Sequence, residues 1–292
     1  MQTILVTGAN GQLGSELQQL ESSYPQFEFI FTDKDELSIV DETAINSFFD
    51  MHQFAFCINC AAYTAVDKSE TDEDAAYAVN ANAVGYLAAA CKKYNTRFVH
   101  VSTDYVFDGS GTVPYKESDP TNPLGVYGAS KLKGEQLATE NDPSVVILRT
   151  SWVYSSYGHN FVKTMLRLMS ERESINVVSD QLGSPTYAAD LAKAILDICQ
   201  SSVDNKQWPA GIYNYSNEGI ISWYDFAVAI KELSNSKCQV NPIPSSAYPT
   251  PAKRPAYSAF DKDKIKSTFH LHIPEWKDSL QACLLQIMRY IA

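Results

Sequence analysis

The chain has 292 residues, 45% hydrophobic and 20% charged, which is long enough for a large buried core and falls between one big α/β domain and two modest ones. Its formal net charge of −11 argues against nucleic acid or a membrane surface as the main partner, because polyanion binding runs on clustered Lys and Arg. No stretch reaches the roughly 18 apolar residues of a spanning helix, and MQTILVTG runs straight into a strand without a basic and then apolar leader pattern, so a cytoplasmic protein is expected.

The first strand, TILVTG, leads to a helix from about Gln12 through the turn TGANGQLG, which places glycines at 8, 11 and 14. Gly8 suits a tight turn, Gly11 a close backbone approach to a pyrophosphate, and Gly14 close packing of helix on sheet. Asn10, Gln12 and Leu13 share that loop, and the helix N-terminus faces the phosphates, so a dinucleotide is the expected ligand. The second strand, FEFIFTD, ends at Asp33, 25 positions after Gly8, where an acidic residue meets the adenine ribose hydroxyls. Lys34 beside it can pair with a 2′-phosphate, which leaves both NADPH and NADH open.

A helix through AINSFFDMH and the strand AFCINCAA follow. Cys57 and Cys60 stand three apart in that strand and so face opposite sides; they read as buried apolar side chains rather than as a metal or redox pair. Next come a long helix across Asp74 to Tyr94, the strand RFVHVST, a loop rich in Gly and Pro, a helix holding VYGASK (126–131), and the strand SVVILRTSWVY. This alternation predicts a doubly wound parallel sheet of Rossmann type over residues 1–151. Beyond about Tyr154 it lapses into helices near 160–172, 188–200, 222–234 and 275–290. The run 241–255 is proline-rich, which predicts extended loop rather than helix or inner strand. Residues 152–292 therefore read mainly as a smaller substrate-binding lobe, interleaved with the first and returning some segments to it.

Ligands in such sheets bind at the carboxyl ends of strands, where Ser102 and Thr103 fall. Tyr127 and Lys131, four apart, share one helical face. A lysine ammonium favours phenolate and is expected to bring Tyr127 down from its usual pKa near 10 toward neutrality, a difference of about 4 kcal/mol. Thr103 can hydrogen-bond the same substrate oxygen, so the three residues suit polarising a carbonyl while hydride arrives and then delivering a proton. The five histidines form no ligand constellation with one another and lie away from these motifs.

The GxxGxxG spacing resembles the extended short-chain dehydrogenase/reductases. More specifically, NCAAYTAVDKSE (59–70), VSTDYVFDG (101–109), NPLGVYGASKLKGE (122–135), RTSWVY (149–154), DQLGSPT (180–186) and YPTPAKRPAYS (248–258) resemble the dTDP-4-dehydrorhamnose reductase family over nearly the whole chain. The resemblance implies reduction of the C4 ketone of dTDP-4-dehydro-β-L-rhamnose by NADPH, or NADH, with Tyr127 as proton donor, Lys131 as its partner and Thr103 as carbonyl polariser. It further implies sugar contacts from Asp104, Tyr105 and Trp152, cofactor contacts from Ile39 and from Ala61, Ala62 and Tyr63, and a phosphate contact from Arg254. Asn160 reads as a helix cap.

Nucleotide-sugar 4,6-dehydratases carry glutamate where Tyr105 stands, and 4-epimerases lack the RTSWVY and YPTPAKRP blocks. A non-catalytic regulatory subunit, like that of methionine adenosyltransferase, is the other reading; retention of Thr103, Tyr127, Lys131 and Trp152 together weighs against it. Some family members hold Mg²⁺ between subunits through three carboxylates. Glu16 and Asp190 match two of these and Gln286 the third, so no obligatory metal is expected, and both monomer and homodimer stay open.

Overall fold

The computed structural model describes residues 1–291. Strand β1 (Gln2–Thr7) passes through the glycine turn into α1 (Gln12–Leu20), then β2 (Phe27–Thr32), α2 (Glu42–Met51) and β3 (Phe56–Asn59). The pattern continues through α3 (Val66–Ser69), α4 (Glu73–Tyr77), α5 (Ala83–Lys93), β4 (Arg97–Thr103), α6 (Val126–Asn141) and β5 (Val146–Thr150). After short β6 (Val153–Tyr154) come α7 (Phe161–Glu171), β7 (Ser174–Val178), β8 (Leu182–Gly183), β9 (Thr186–Tyr187) and α8 (Ala188–Asn205). The chain closes with β10 (Gly211–Tyr215), β11 (Ile221–Ser222), α9 (Trp223–Leu233), β12 (Gln239–Ile243), α10 (Asp263–Phe269) and α11 (Trp276–Ile291).

Six strands form a parallel sheet in the order β10-β5-β4-β3-β1-β2. Because successive strand residues point to opposite faces, β1 divides its apolar run: Ile4 and Val6 enter the core with α1 and α8, and Leu5 the core with α2 and α5. Cys57 joins the second core and Cys60 packs against the first, each on its own face as the spacing requires; all six cysteines are free thiols. A third core unites α7, α9 and α11 around β7 and β12.

Two local features differ from the sequence reading. The helix across residues 74–94 is broken by a π turn at Ala78–Asn82, where the Asn80 side chain clamps residue 63: its Oδ1 accepts from Tyr63 N (2.9 Å) and its Nδ2 donates to Tyr63 O (3.0 Å). The proline-rich run is not loop throughout either, since Asn241–Ile243 lie in β12, paired parallel with β7. Pro242, which has no N–H to give, is tolerated because this sheet has only two strands and both are edges.

β1 has β2 on one side and β3 on the other, so the direction of winding reverses between β1 and β3. The crevice at their carboxyl ends is where such sheets take ligands. Gly8 sits there at φ +71, and a Cβ on it would lie 2.6 Å from Ala61 N, so both the conformation and the close approach exclude a side chain.

Candidate active site

A cavity of about 720 Å³ opens at this crevice. Gly8, Gly11, Gln12 and Leu13 form its floor, Asp33, Lys34 and Ile39 one end, Ala61 and Ala62 a wall, and Tyr127 and Lys131 the other end. Asp33 also ties the glycine loop to β2, its Oδ2 accepting from Asn10 N at 3.0 Å. Asn10, Gly14 and Tyr63 do not line the cavity. Gly14 lies beneath the turn, where a Cβ would strike Gly8 O at 2.4 Å, and the Tyr63 hydroxyl donates to Asp72 (3.0 Å). A glycine turn with one positive φ and a wide cavity above a helix N-terminus fits a dinucleotide pyrophosphate.

Thr103 ends β4 and caps the turn Asp104–Val106, its hydroxyl accepting from Tyr105 N (3.3 Å) and donating to Asp104 Oδ1 (3.1 Å). The same side chain comes near Tyr127, in the first turn of α6, and favours its phenolate. Helix α6 can approach this turn only because residue 128 is glycine: a Cβ there would stand 2.2 Å from Tyr105 O. The Tyr105 ring packs edge-on against Tyr127, centroids 5.3 Å apart.

The expected lowering of Tyr127 does not occur. Burial drives its phenol up to about 12, against the nearby Thr103 side chain, which favours the phenolate. In the free protein the Lys131 Nζ donates to Val101 O at 2.6 Å rather than to the phenol. Burial in turn brings Lys131 down to about 8, with the Glu135 carboxylate one turn along holding it up. Glu135 is itself in a buried ion pair with Arg149, Nη2 to Oε2 2.7 Å and Nε to Oε1 3.0 Å, and accepts from Ser102 Oγ at 2.6 Å.

Asp104 is 2% exposed, and its Oδ2 finds no partner among the described residues. Burial raises its carboxyl to about 6, with the Ser258 and Thr103 side chains opposing. A raised acid contributes stability that is full below its unfolded value, near pH 4, and is lost as pH climbs through about 6. Asp104→Asn is therefore expected to exceed wild type by about 3 kcal/mol at pH 7.5 and to lose that advantage below pH 4. Urea unfolding at both pH values checks this; an equal difference at the two would rule it out.

Trp152 follows β5 with a left-handed backbone, φ +48, and stacks on Trp223 at 3.6 Å and 10°. It is only partly buried, and a Cβ at Gly183 would lie 2.8 Å from its ring and 2.7 Å from Ser258 Oγ. Arg254 lines a second cavity, of about 470 Å³, and pairs with Asp67. Thr103, Asp104, Tyr105 and Trp152 line neither cavity wall. Asn160 caps α7, accepting from Lys163 N (3.1 Å), and also donates to Gln12 Oε1 (3.0 Å), which fastens the glycine loop to residues 155–160.

The histidines do not all stand apart from the motifs. His159 lines the dinucleotide cavity, and His100 is buried in β4 against Asn59 Nδ2 at 3.1 Å. His159 stands beside Gly158, at φ +62. Glu16 is buried and accepts from Ser155 Oγ (2.6 Å), its carboxyl raised by burial. Gln286 Oε1 accepts from Tyr187 Oη (2.6 Å), and Asp190 Oδ2 accepts from Asn217 Nδ2 (2.7 Å). No three His, Cys, Asp or Glu side chains among the described residues are grouped to hold a metal.

Residues 1–289 match the RmlD substrate binding domain family. The chain is 43% identical over 288 residues to dTDP-4-dehydrorhamnose reductase from Aggregatibacter actinomycetemcomitans, covering 96% of this chain and 98% of the relative. The crystal structure of dTDP-4-dehydrorhamnose reductase from Bacillus anthracis in complex with NADP superposes with TM-score 0.93 at 38% identity, over 98% of this chain and all of that one. UDP-glucose 4-epimerase from Thermus thermophilus, at 19% identity and TM-score 0.82 over 99% of this chain and all of that one, shares the fold.

Proposed function

The chain belongs to the RmlD substrate binding domain family, that of the dTDP-4-dehydrorhamnose reductases, and from that premise we propose how its residues divide the work. The reaction is reduction of the C4 ketone of dTDP-4-dehydro-β-L-rhamnose to dTDP-L-rhamnose. NADPH, when bound, supplies the hydride. Tyr127 donates the proton to the ketone oxygen, Thr103 donates a second hydrogen bond to that oxygen, and Lys131 stabilises the phenolate left behind. The observation that carries this reading is that Tyr127 and Lys131, one turn apart on α6, line the dinucleotide cavity together, with the Thr103 side chain close enough to favour the Tyr127 phenolate.

Asp33, Lys34 and Ile39 take the adenosine end of the cofactor, Gly8 to Leu13 its pyrophosphate, and Ala61 to Tyr63 the strand side. Asp104, Tyr105 and Trp152 shape the sugar site, and the second cavity receives the nucleotide diphosphate against Arg254. Residues 152–292 mainly serve that substrate side, although β10 belongs to the large sheet. No helix among the described residues is long and apolar enough to cross a membrane.

Purified protein given NADPH, dTDP-4-dehydro-6-deoxyglucose and the 3,5-epimerase is expected to oxidise one nicotinamide per dTDP-rhamnose formed. A parallel arm with NADH measures the preference that Lys34 sets. NADPH binding without turnover would favour the non-catalytic subunit instead.

A further inference from the structure

The segment after β3 reaches three places within ten residues. Ala61, Ala62 and Thr64 line the dinucleotide cavity. Glu70 Oε1 accepts from Val126 N (2.9 Å), at the start of the helix that carries Tyr127. Between them, on α3, Asp67 crosses to the loop at 250–254: Oδ2 accepts from Arg254 Nη2 at 3.0 Å and Oδ1 from Ala252 N at 3.2 Å. That loop lines the second cavity through Thr250, Ala252 and Arg254. The Asp67 and Arg254 charges both act on the phenol of Tyr105, which packs on Tyr127.

We propose that Asp67 is a positioning residue that holds the Arg254 guanidinium and its loop in place for the diphosphate of the nucleotide sugar. The inference rests on Arg254 as the phosphate partner. A partly exposed ion pair adds little stability, but this carboxylate also fixes a backbone N–H of the same loop, which is the arrangement that orients rather than merely attracts. Arg254 has five N–H donors, so the carboxylate leaves donors for a phosphate. Holding the loop before substrate arrives removes an ordering cost from binding.

The test is Asp67→Asn. KM for the nucleotide sugar is expected to rise about tenfold, the loss of one charge-assisted contact, with kcat and the Kd for NADPH within about twofold of wild type. In an Arg254→Gln background the same substitution is expected to raise KM by less than about twofold, because the group it positions is gone. Unchanged KM in Asp67→Asn, or a raised KM accompanied by falls in kcat, NADPH affinity and the thermal midpoint, would overturn the proposal. Calorimetric Kd values for dTDP alone read the same contact without turnover. A wild type that binds dTDP but reduces nothing overturns the reductase reading, and the ratio of the two dTDP Kd values still decides this one.

Discussion

Tyr127→Phe is expected to lower kcat by about 10²–10⁴-fold, the span that positioned proton transfer contributes, while NADPH affinity stays within a few-fold because the ring that lines the cavity remains. The direction of the phenol's pKa gives this its physical content. Driven up to about 12 by burial, Tyr127 keeps its proton at neutral pH, as a donor in ketone reduction must. The cost falls on the phenolate formed afterwards, which the Thr103 side chain and the Lys131 charge offset. Lys131 sits at about 8 and is cationic below that value, so kcat in the wild type should fall as pH rises through about 8. A pH profile of kcat checks both statements: turnover of Tyr127→Phe equal to wild type would remove Tyr127 from the mechanism, and a flat alkaline limb would remove Lys131 charge from it.

The second large effect is on stability. Arg149→Met should cost about 3–5 kcal/mol, because it strands the Glu135 carboxylate in the interior. Both side chains are 3% exposed, the pair is bidentate, and Arg149 additionally sits over the Phe107 ring at 5.1 Å. The double variant Glu135→Leu with Arg149→Met should recover most of the loss, since apolar replacement of a whole buried pair is often neutral. It also removes the charge that holds Lys131 up, so the alkaline limb of kcat should move to lower pH. Urea midpoints for the single and double variants decide the first point. If they are equally unstable, the ion pair is not what Arg149 contributes.

Those two residues mark where the sequence stops being readable. The glycine loop, the strand-end threonine and the Tyr-Lys pair are local patterns, and each keeps its meaning because neighbours in sequence are neighbours in space. Glu135 falls one turn after Lys131 and looks like a solvated helix charge; only the packing of α6 on β4 and β5 brings Arg149 and Ser102 to it. The same packing reverses the expectation for Tyr127, since the ammonium four residues along the helix is drawn to the Val101 carbonyl. The π turn depends on Asn80 finding the backbone of residue 63, and Asn in an apolar helix pattern carries no sign of it. Gly128 and Gly134 are legible only in retrospect, Gly134 because a Cβ would lie 2.0 Å from Asn80 O.

The outer strand β10 has a bearing on how the chain is made. β5 is buried along its full length, yet its outer edge is covered by a segment that begins only at Gly211. At ribosomal speeds of about 5–20 residues per second, that edge waits for about 3–12 s after Thr150 is synthesised, three apolar residues followed by Arg149 and Thr150 with open backbone donors and acceptors. The first half of the protein is therefore a cofactor fold whose sheet receives its outermost strand, and β5 its second neighbour, only when the second half has been made.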